Sequence, residues 1–319
     1  MKNKNILVVS YSQSGQLDAV LKSLLFPLYE SDAINIVHKY IQPKVAYPFP
    51  WSFMKFMDVF PESVYLDPCE IEPMEEDEIE YDLIILAYQV WFLSPSLPTT
   101  AFLKSAYARK KLQNKPVITL IGCRNMWIMA QEKMKGMLDD ISAKLIDNIV
   151  LIDQGNSLAT FITTPRWMFT GKKDSFWRIF PKAGISDEDI HFSSRFGKAI
   201  LKGLFENKEQ NNTSFCHGLG AVYVNEKLIK SEQIGTKSFH IWGKLIRKIG
   251  KMGDIKRKPI VLLYVVFLIL MIITVVPINM IVQTMNRKIN KNKVNLQKEY
   301  YELPSGSSRE RIKEFSQNE

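Results

Sequence analysis

The sequence predicts an α/β protein built on a doubly wound, parallel five-stranded sheet with long inserts. Short aliphatic runs alternate with stretches of helical periodicity, in the order βαβ(loop)βαβαβ. The runs end in small polar or aromatic turns, which such a sheet gathers at the carboxyl ends of its strands. The length, 319 residues, suits one sizeable α/β domain plus an appendage.

The first strand is Ile6 to Val9. It opens into Ser10-Tyr11-Ser12-Gln13-Ser14-Gly15-Gln16, after which Leu17, Val20, Leu21, Leu24, Leu25 and Leu28 recur on one helix face. A helix entered this way leaves its first N–H groups unpaired at the positive end of its dipole, a seat for a phosphate dianion. Ser12 and Ser14 add hydroxyl donors, and Gly15 allows close backbone approach. The turn has no lysine, so it is not a nucleoside-triphosphate P-loop, and it lacks the Gly-x-Gly-x-x-Gly of dinucleotide binders.

Ile34 to Tyr40 reads as the second strand. The irregular piece from Pro43 to Pro73 carries Tyr47, Phe49, Trp51, Phe53, Phe56 and Phe60. It reads equally as a satellite core and as a substrate pocket with Trp51, Phe53 and Phe56 as candidates. Glu70 to Glu80 is an acidic, solvated lead-in. Leu83 to Ala87 is the strongest buried strand, and the aromatic loop Tyr88 to Pro95 is expected to be exposed. Pro98 starts a helix through about Arg109. Val117 to Ile121 is a strand ending in Gly122-Cys123-Arg124-Asn125-Met126-Trp127. A helix to about Lys144 and a strand from Asn148 to Asp153 follow. Gln154 to Gly184 is a second irregular insert with Trp167, Phe169, Trp177 and Phe180, and Asp187 to Phe205 is the closing helix.

The three strand-end loops should converge on one crevice, and their chemistry suits flavin mononucleotide (FMN) better than a nicotinamide dinucleotide. Ser12, Gln13, Ser14, Gly15, Gln16 and Leu17 take the phosphate. The backbone of Gln89, Val90, Trp91, Phe92 and Leu93, with the two aromatic rings, meets the isoalloxazine. Backbone N–H groups of Gly122, Cys123, Arg124 and Asn125 serve its pyrimidine carbonyls, and Trp127 joins the substrate candidates. The alternative is a generic α/β fold with polar turns and no cofactor. His38, His191, His217 and His240 are isolated and read as structural or surface residues, and Cys123 as a small buried one. No catalytic base stands out; Tyr11, Tyr88 and His38 are candidates by location or chemistry. Cys69, Cys123 and Cys216 are scattered and odd in number, so neither a disulfide framework nor a metal site is expected. The chain opens on a core strand without a secretory apolar region, and a reducing cytosolic compartment is expected.

A net charge of +9 and a pI near 9.2 pose the choice between nucleic acid and membrane. Nucleic acid is not expected, because the Arg/Lys-aromatic pattern of an RNA-binding sheet is missing and the charge brackets one apolar segment. That segment, IVLLYVVFLILMIITVV from Ile260 to Val276, continues past Pro277 to Val282 and is long enough to span a hydrocarbon core of ~30 Å. Pro277 leaves a bent or re-entrant helix open. Upstream, Trp242, Leu245, Ile246 and Ile249 oppose Lys244, Arg247, Lys248 and Lys251, the profile of a helix lying in the headgroup layer. Lys256-Arg257-Lys258 forms a basic collar favouring the cytoplasmic side, although Arg287, Lys288, Lys291 and Lys293 make the signal two-sided. The predicted organisation is a cofactor domain at 1–213, a packing extension at 214–238, an interfacial segment at 239–258, a transmembrane or re-entrant helix at 259–284, and a polar tail at 285–319, mobile from Tyr300. The expected location is the inner (cytoplasmic) membrane, with the catalytic domain facing the cytoplasm.

The segment ILVVSYSQSGQL resembles the phosphate loop of flavodoxins, a Ser/Thr-x-Thr-Gly-x-Thr turn: Ser12, Ser14 and Gly15 match, and Leu17 stands where a threonine is usual. YQVWFLSPSLPTTAFLKS resembles the second flavin loop of flavodoxin-like quinone reductases. The likeness covers about residues 5 to 205 in outline. The whole chain is similar to a flavodoxin-like family of bacterial flexirubin and dialkylresorcinol pigment biosynthesis, the dialkylresorcinol-condensing enzymes. That resemblance implies an FMN-dependent aromatase that oxidises a 2,5-dialkylcyclohexane-1,3-dione to a dialkylresorcinol beside a ketosynthase partner. It brings a lipophilic small-molecule substrate and contact with membrane lipid, and leaves a homodimer open. The alternatives are an NAD(P)H:quinone reductase and a non-catalytic electron carrier or ketosynthase scaffold; a basic chain ranks the carrier last.

Overall fold

Ile6, Leu7, Val8 and Val9 are all fully buried, which a strand achieves only when both its faces are covered. They form β1 (Lys4–Ser10) of a computed structural model that describes residues 3–156 and 159–316. From there the chain runs through α1 (Gln16–Tyr29), β2 (Ile34–Tyr40), α2 (Phe53–Asp58), α3 (Phe60–Tyr65), β3 (Leu83–Trp91) and β4 (Ser94–Pro95). It continues through α4 (Leu97–Leu103), α5 (Ala106–Leu112), β5 (Pro116–Cys123), α6 (Ile128–Asp140), β6 (Lys144–Ile152), α7 (Thr160–Thr170), α8 (Asp187–Phe192) and α9 (Ser194–Phe205). Last come α10 (Glu226–Ile249), α11 (Lys258–Ile289), α12 (Lys291–Glu302) and α13 (Ile312–Ser316).

The spatial strand order is β2-β1-β3-β5-β6, every pair parallel, with the two-residue β4 folded back antiparallel on the end of β3. Without β4 this is the 2-1-3-4-5 order of the flavodoxin-like doubly wound fold, whose switch point lies between β1 and β3. The fold class is as the sequence predicts.

Several element boundaries differ from expectation. The helix expected from Pro98 to Arg109 is two helices, because Ser105 stops the first and caps the second by accepting from Ala108 N at 3.1 Å. The closing helix likewise breaks at Ser193, whose Oγ donates to the Ile190 carbonyl at 2.6 Å. Both irregular inserts contain helix: α2 and α3 in the first, α7 in the second. The aromatic loop after Ala87 is not exposed. β3 runs on to Trp91 and turns at Phe92 and Leu93, both at positive φ (48° and 57°), and Trp91 and Leu93 are 6% exposed. Lys133 on α6 holds this hairpin by donating to Ser94 Oγ at 2.7 Å.

The free edge of β6 is covered. Val150 N donates to the Ala221 carbonyl, and Cys216, Leu219, Ala221, Val222 and Val224 are buried along that side. Asp147, fully buried on β6, accepts from Ser214 Oγ (2.6 Å), Phe215 N (2.7 Å) and Ser305 Oγ (2.7 Å). Ser305 belongs to the stretch expected to be a mobile tail. That expectation fails for residues 300–316, because Tyr300, Tyr301, Ser305 and Arg311 have partners on the body. Tyr300 OH donates to Glu132 (2.9 Å), Arg311 Nη1 reaches the Phe215 and His217 carbonyls, and Phe315 is buried beside α9.

α10 is one continuous helix that crosses the predicted boundary at 238. Ile246, assigned to a lipid-facing stripe by the sequence, is instead fully buried with Phe60, Val64, Val261, Tyr264 and Val265. Arg257 is no headgroup-facing collar residue either: it is 0% exposed, its guanidinium clamped bidentately on Glu62 (2.9 and 3.1 Å) and paired with Asp58 (3.2 Å). The segment Ile255–Met285 is long and apolar enough to cross a membrane. The side chains of Arg287 and Lys288 lie outside the described residues.

Candidate functional site

The carboxyl ends of β1, β3, β5 and β6 surround a pocket of about 160 Å³. The first loop contributes Gln13, Ser14, Gln16 and Leu17, the β3 end Gln89, Val90, Trp91 and Phe92, and the β5 end Gly122, Cys123 and Arg124. The three predicted loops therefore meet, at the switch point of the strand order. A wider groove of about 440 Å³ near Lys144 and Leu145 sits at the opposite, amino end of β6.

Within the first loop the roles divide. Gln13 Nε2 donates to the Pro48 carbonyl at 2.9 Å, and Gln16 brackets Ile185 through both amide atoms (3.1 and 3.3 Å). Their side chains fasten the loop to Pro48 and Ile185 and leave Ser14 lining the pocket. Gly184 makes the Gln16 clasp possible: a Cβ there would lie 2.6 Å from Nε2. Gly15 has φ 77° with nothing within 4 Å of where a Cβ would project, so the turn that starts α1 faces open space. Leu17, 1% exposed, packs under Gly122, and its side chain belongs to the core.

Ser12 Oγ and Asn125 Oδ1 are buried atoms without a hydrogen-bond partner among the described residues. Leaving such groups unmade costs about 1–3 kcal/mol each. One is a hydroxyl in the predicted phosphate loop and the other an acceptor in the loop predicted to meet the pyrimidine ring. Ser12, Gly15, Leu93 and Asn125 do not line the pocket itself.

The aromatic substrate candidates separate. Phe56 lines the pocket and stacks on Phe92 with centroids 4.7 Å apart. Phe53 lies outside it, half-exposed and edge-on to Phe169. Trp51 (3% exposed) and Trp127 (1%) are core residues: Trp51 packs among Tyr47, Phe56 and Trp91, so its burial serves the satellite core. The candidate bases also fall away. Tyr88 is sealed in the interior, donating to Gln131 Oε1 at 2.7 Å; Tyr11 is packed edge-on to Trp91; and His38 pairs with Ser10 Oγ at 2.9 Å. Burial pushes both tyrosine hydroxyls up and the His38 imidazole down, and none of the three lines the pocket.

Asp153, just past β6, is the carboxylate that does line the pocket. Its Oδ1 accepts from Gly155 N (2.8 Å); its Oδ2 accepts from Gly184 N (2.6 Å) and Thr164 Oγ1 (3.3 Å). Burial raises its pKa against those hydrogen bonds and the nearby charge of Arg124. Arg124 lies over the Phe161 ring at 3.9 Å, and desolvation lowers its pKa to about 10. Cys123 is driven upward by burial and is no thiolate. The sequence signal for Asp153 was its place at a fourth strand end. Thr164, Trp167 and Met168 of α7 line the pocket too and carry no such signal.

The third loop is locked from behind. Glu232 of α10 is fully buried, its Oε2 accepting from Met129 N at 3.0 Å at the start of α6. Burial lifts its pKa to about 8, against the backbone N–H groups of Met129, Ile128 and Trp127.

No protein-family model and no curated protein matches the chain. Among solved structures, a flavoprotein in complex with FMN from Lactobacillus acidophilus NCFM is similar to it at 17% identity and a TM-score of 0.37, covering 46% of this chain and 93% of that one. Oxidised flavodoxin 1 from Bacillus cereus is similar at 15% identity and a TM-score of 0.33, covering 62% of this chain and 98% of its own. The strand order of the chain itself assigns the flavodoxin-like fold.

Proposed function

We propose that the chain is an FMN-dependent oxidoreductase acting on a lipophilic cyclic substrate at a membrane surface. One observation carries this reading: the pocket joins an open, lysine-free phosphate turn to a wall of aromatic and aliphatic side chains at the β1/β3 switch point. Backbone N–H groups at the start of α1, with Ser12 and Ser14, hold the phosphate; Trp91, Phe92 and the backbone of Gly122 to Asn125 hold the ring system. The orphaned Ser12 and Asn125 atoms fit a ligand rich in both acceptors and donors.

The resemblance of the chain to dialkylresorcinol-condensing enzymes supports the finer reading, aromatisation of a 2,5-dialkylcyclohexane-1,3-dione to a dialkylresorcinol. That conversion removes two hydrogens, one as hydride and one as proton. Bound FMN supplies the hydride acceptor. Asp153 Oδ2 takes the proton, with Arg124 steadying the charge that develops and Thr164 Oγ1 orienting the carboxylate. Phe56, Trp91, Phe92 and Trp167 exclude water and accept the alkyl-bearing ring. Two alkyl chains partition such a substrate into lipid, at ~0.8 kcal/mol per buried CH₂, which accounts for an apolar helix on the same chain.

Purified full-length protein should bind added FMN, seen as a shifted and sharpened flavin absorption spectrum. Ser12→Asp with Ser14→Asp should abolish binding by placing negative charge where the phosphate sits. Under anaerobic conditions the dione alone should bleach the bound flavin. A folded chain that leaves FMN free in solution sinks the proposal, and bleaching by NADPH but not by the dione favours the quinone reductase.

A further inference from the structure

The geometry points to α11 lying in one leaflet without crossing the bilayer, so that the chain is a monotopic protein whose two ends stay on one side. This rests on the membrane attachment proposed above and adds its topology. Both ends of the apolar helix are fixed to the same body. At its start, buried Arg257 is clamped on Glu62 of α3 and paired with Asp58 of α2. Beyond its end, Tyr301 accepts from Gln233 of α10, and Ser305 donates to Asp147 Oδ1 while accepting from Asn148 N at 2.7 Å. Ser305 is 0% exposed and Tyr301 8%.

A helix of 32 residues is about 48 Å long, enough to cross. The chain would then have to come back through the hydrocarbon to reach Asp147. The segment available for the return is α12, with Lys291, Lys293, Lys298 and Glu299, and charged side chains are strongly disfavoured at that depth. Crossing therefore means stripping the tail from a buried carboxylate, whereas lying in the interface keeps both anchors.

Burial along α11 agrees with an in-plane helix. Val261, Tyr264, Val265, Leu268, Met271, Ile272, Val275 and Val276 fall on one stripe at i, i+3, i+4, i+7 spacing and are buried or half-buried. The polar Asn279 and Gln283 continue that sheltered stripe. The opposite face presents Leu262, Val266, Ile269, Ile273, Ile281 and Met285; between Leu262 and Met285, Thr274 and Thr284 are the exposed polar residues among the described side chains. Basic residues stand at both ends, Lys251, Lys256 and Lys258 before the apolar run and Lys291 and Lys293 after it, placed for anionic phospholipid headgroups. The occupant of this face is a lipid leaflet.

Full-length protein carrying a protease-cleavable tag at each terminus, in sealed inverted inner-membrane vesicles, tests the topology. Both tags should be removed without detergent, from chains that float with the vesicles. A carboxyl-terminal tag that is cut only after detergent, while the amino-terminal tag is cut at once, overturns the inference and leaves the membrane attachment standing. Protein recovered wholly in the soluble fraction overturns both. A second readout needs no tag: Trp introduced at Leu262, Ile273 or Met285 should be quenched to the same extent by lipids brominated near the headgroup. Deep-bromine quenching confined to the Ile273→Trp variant would mark a crossing helix.

Discussion

Asp147 lies within β6 and Asp153 immediately past its end; both are buried, and both have carboxyls that burial holds above the usual aspartate range. Their partners differ. Asp147, inside β6, is surrounded by donors from residues far away in sequence, Ser214, Phe215, Cys216 and Ser305. Asp153, past the strand end, gathers Gly155, Gly184 and Thr164 around an open pocket and keeps Arg124 beside it. The amino half of the strand thus closes the body, and its carboxyl end opens on the pocket, the side on which ligands sit in parallel sheets. One residue type in comparable burial thus has two kinds of surroundings, a closed interior for Asp147 and a pocket for Asp153.

The sharpest way to break this contrast is to neutralise Asp153. Asp153→Asn keeps an acceptor for Gly184 N or Thr164 and removes the proton-accepting form. Steady-state oxidation of the dione should fall ~10²–10⁴-fold, with FMN affinity little changed and stability lowered by ~1–3 kcal/mol for the N–H group that the amide leaves unpaired. A variant that melts early and loses FMN would make Asp153 a second staple, and the contrast would vanish.

Asp147 is expected to behave the opposite way. Asp147→Ala strands two serine hydroxyls and two backbone N–H groups in the interior, a loss of ~3–5 kcal/mol by analogy with other broken buried networks. Urea unfolding should show a lower midpoint, while FMN binds the remaining folded fraction with unchanged affinity. An unchanged midpoint would mean that Ser305 and the tail contribute nothing to holding the body closed.

These partnerships also mark where sequence reading runs out. The sheet was legible because runs such as Ile6 to Val9 and Leu83 to Ala87 need burial on both faces, and the convergence of three loops followed from topology. The turn from β1 into α1 was legible because strand, small residues and helix are contiguous. Asp147 and Ser305, 158 positions apart, carry no periodic signal, and neither does the reach of Thr164 and Gly184 to Asp153. Trp127 was misassigned, and the two readings of Trp51 stayed open, for a related reason: an aromatic residue in a loop signals burial but not whether it lies behind the wall of a pocket or on it. The tail of the chain misled through its polarity, since Ser305 and Arg311 are hydrogen-bonded to the body.

Glu232 provides the finest test of the same contrast, because its open side is neither pocket nor tail but the first turn of α6. Its folded pKa of about 8 lies above the ordinary glutamate value of ~4.3. The folded state therefore binds a proton that the unfolded chain has already released between those values. The stability it contributes is complete below pH ~4.3 and is lost as pH rises through about 8. The slope has a ceiling of about 1.4 kcal/mol per pH unit. Glu232→Gln, an isostere of the protonated form, should flatten the fall in unfolding free energy between pH 5 and 8. The difference between the two proteins isolates Glu232 from His38, whose lowered pKa acts in the opposite sense, and from Lys133, which acts above its folded value of about 8. If both proteins keep the same pH slope, the N–H groups of Met129 and its neighbours hold Glu232 ionised. The carboxylate would then be a fixed negative charge behind the third loop, a third role for a buried acid in this fold.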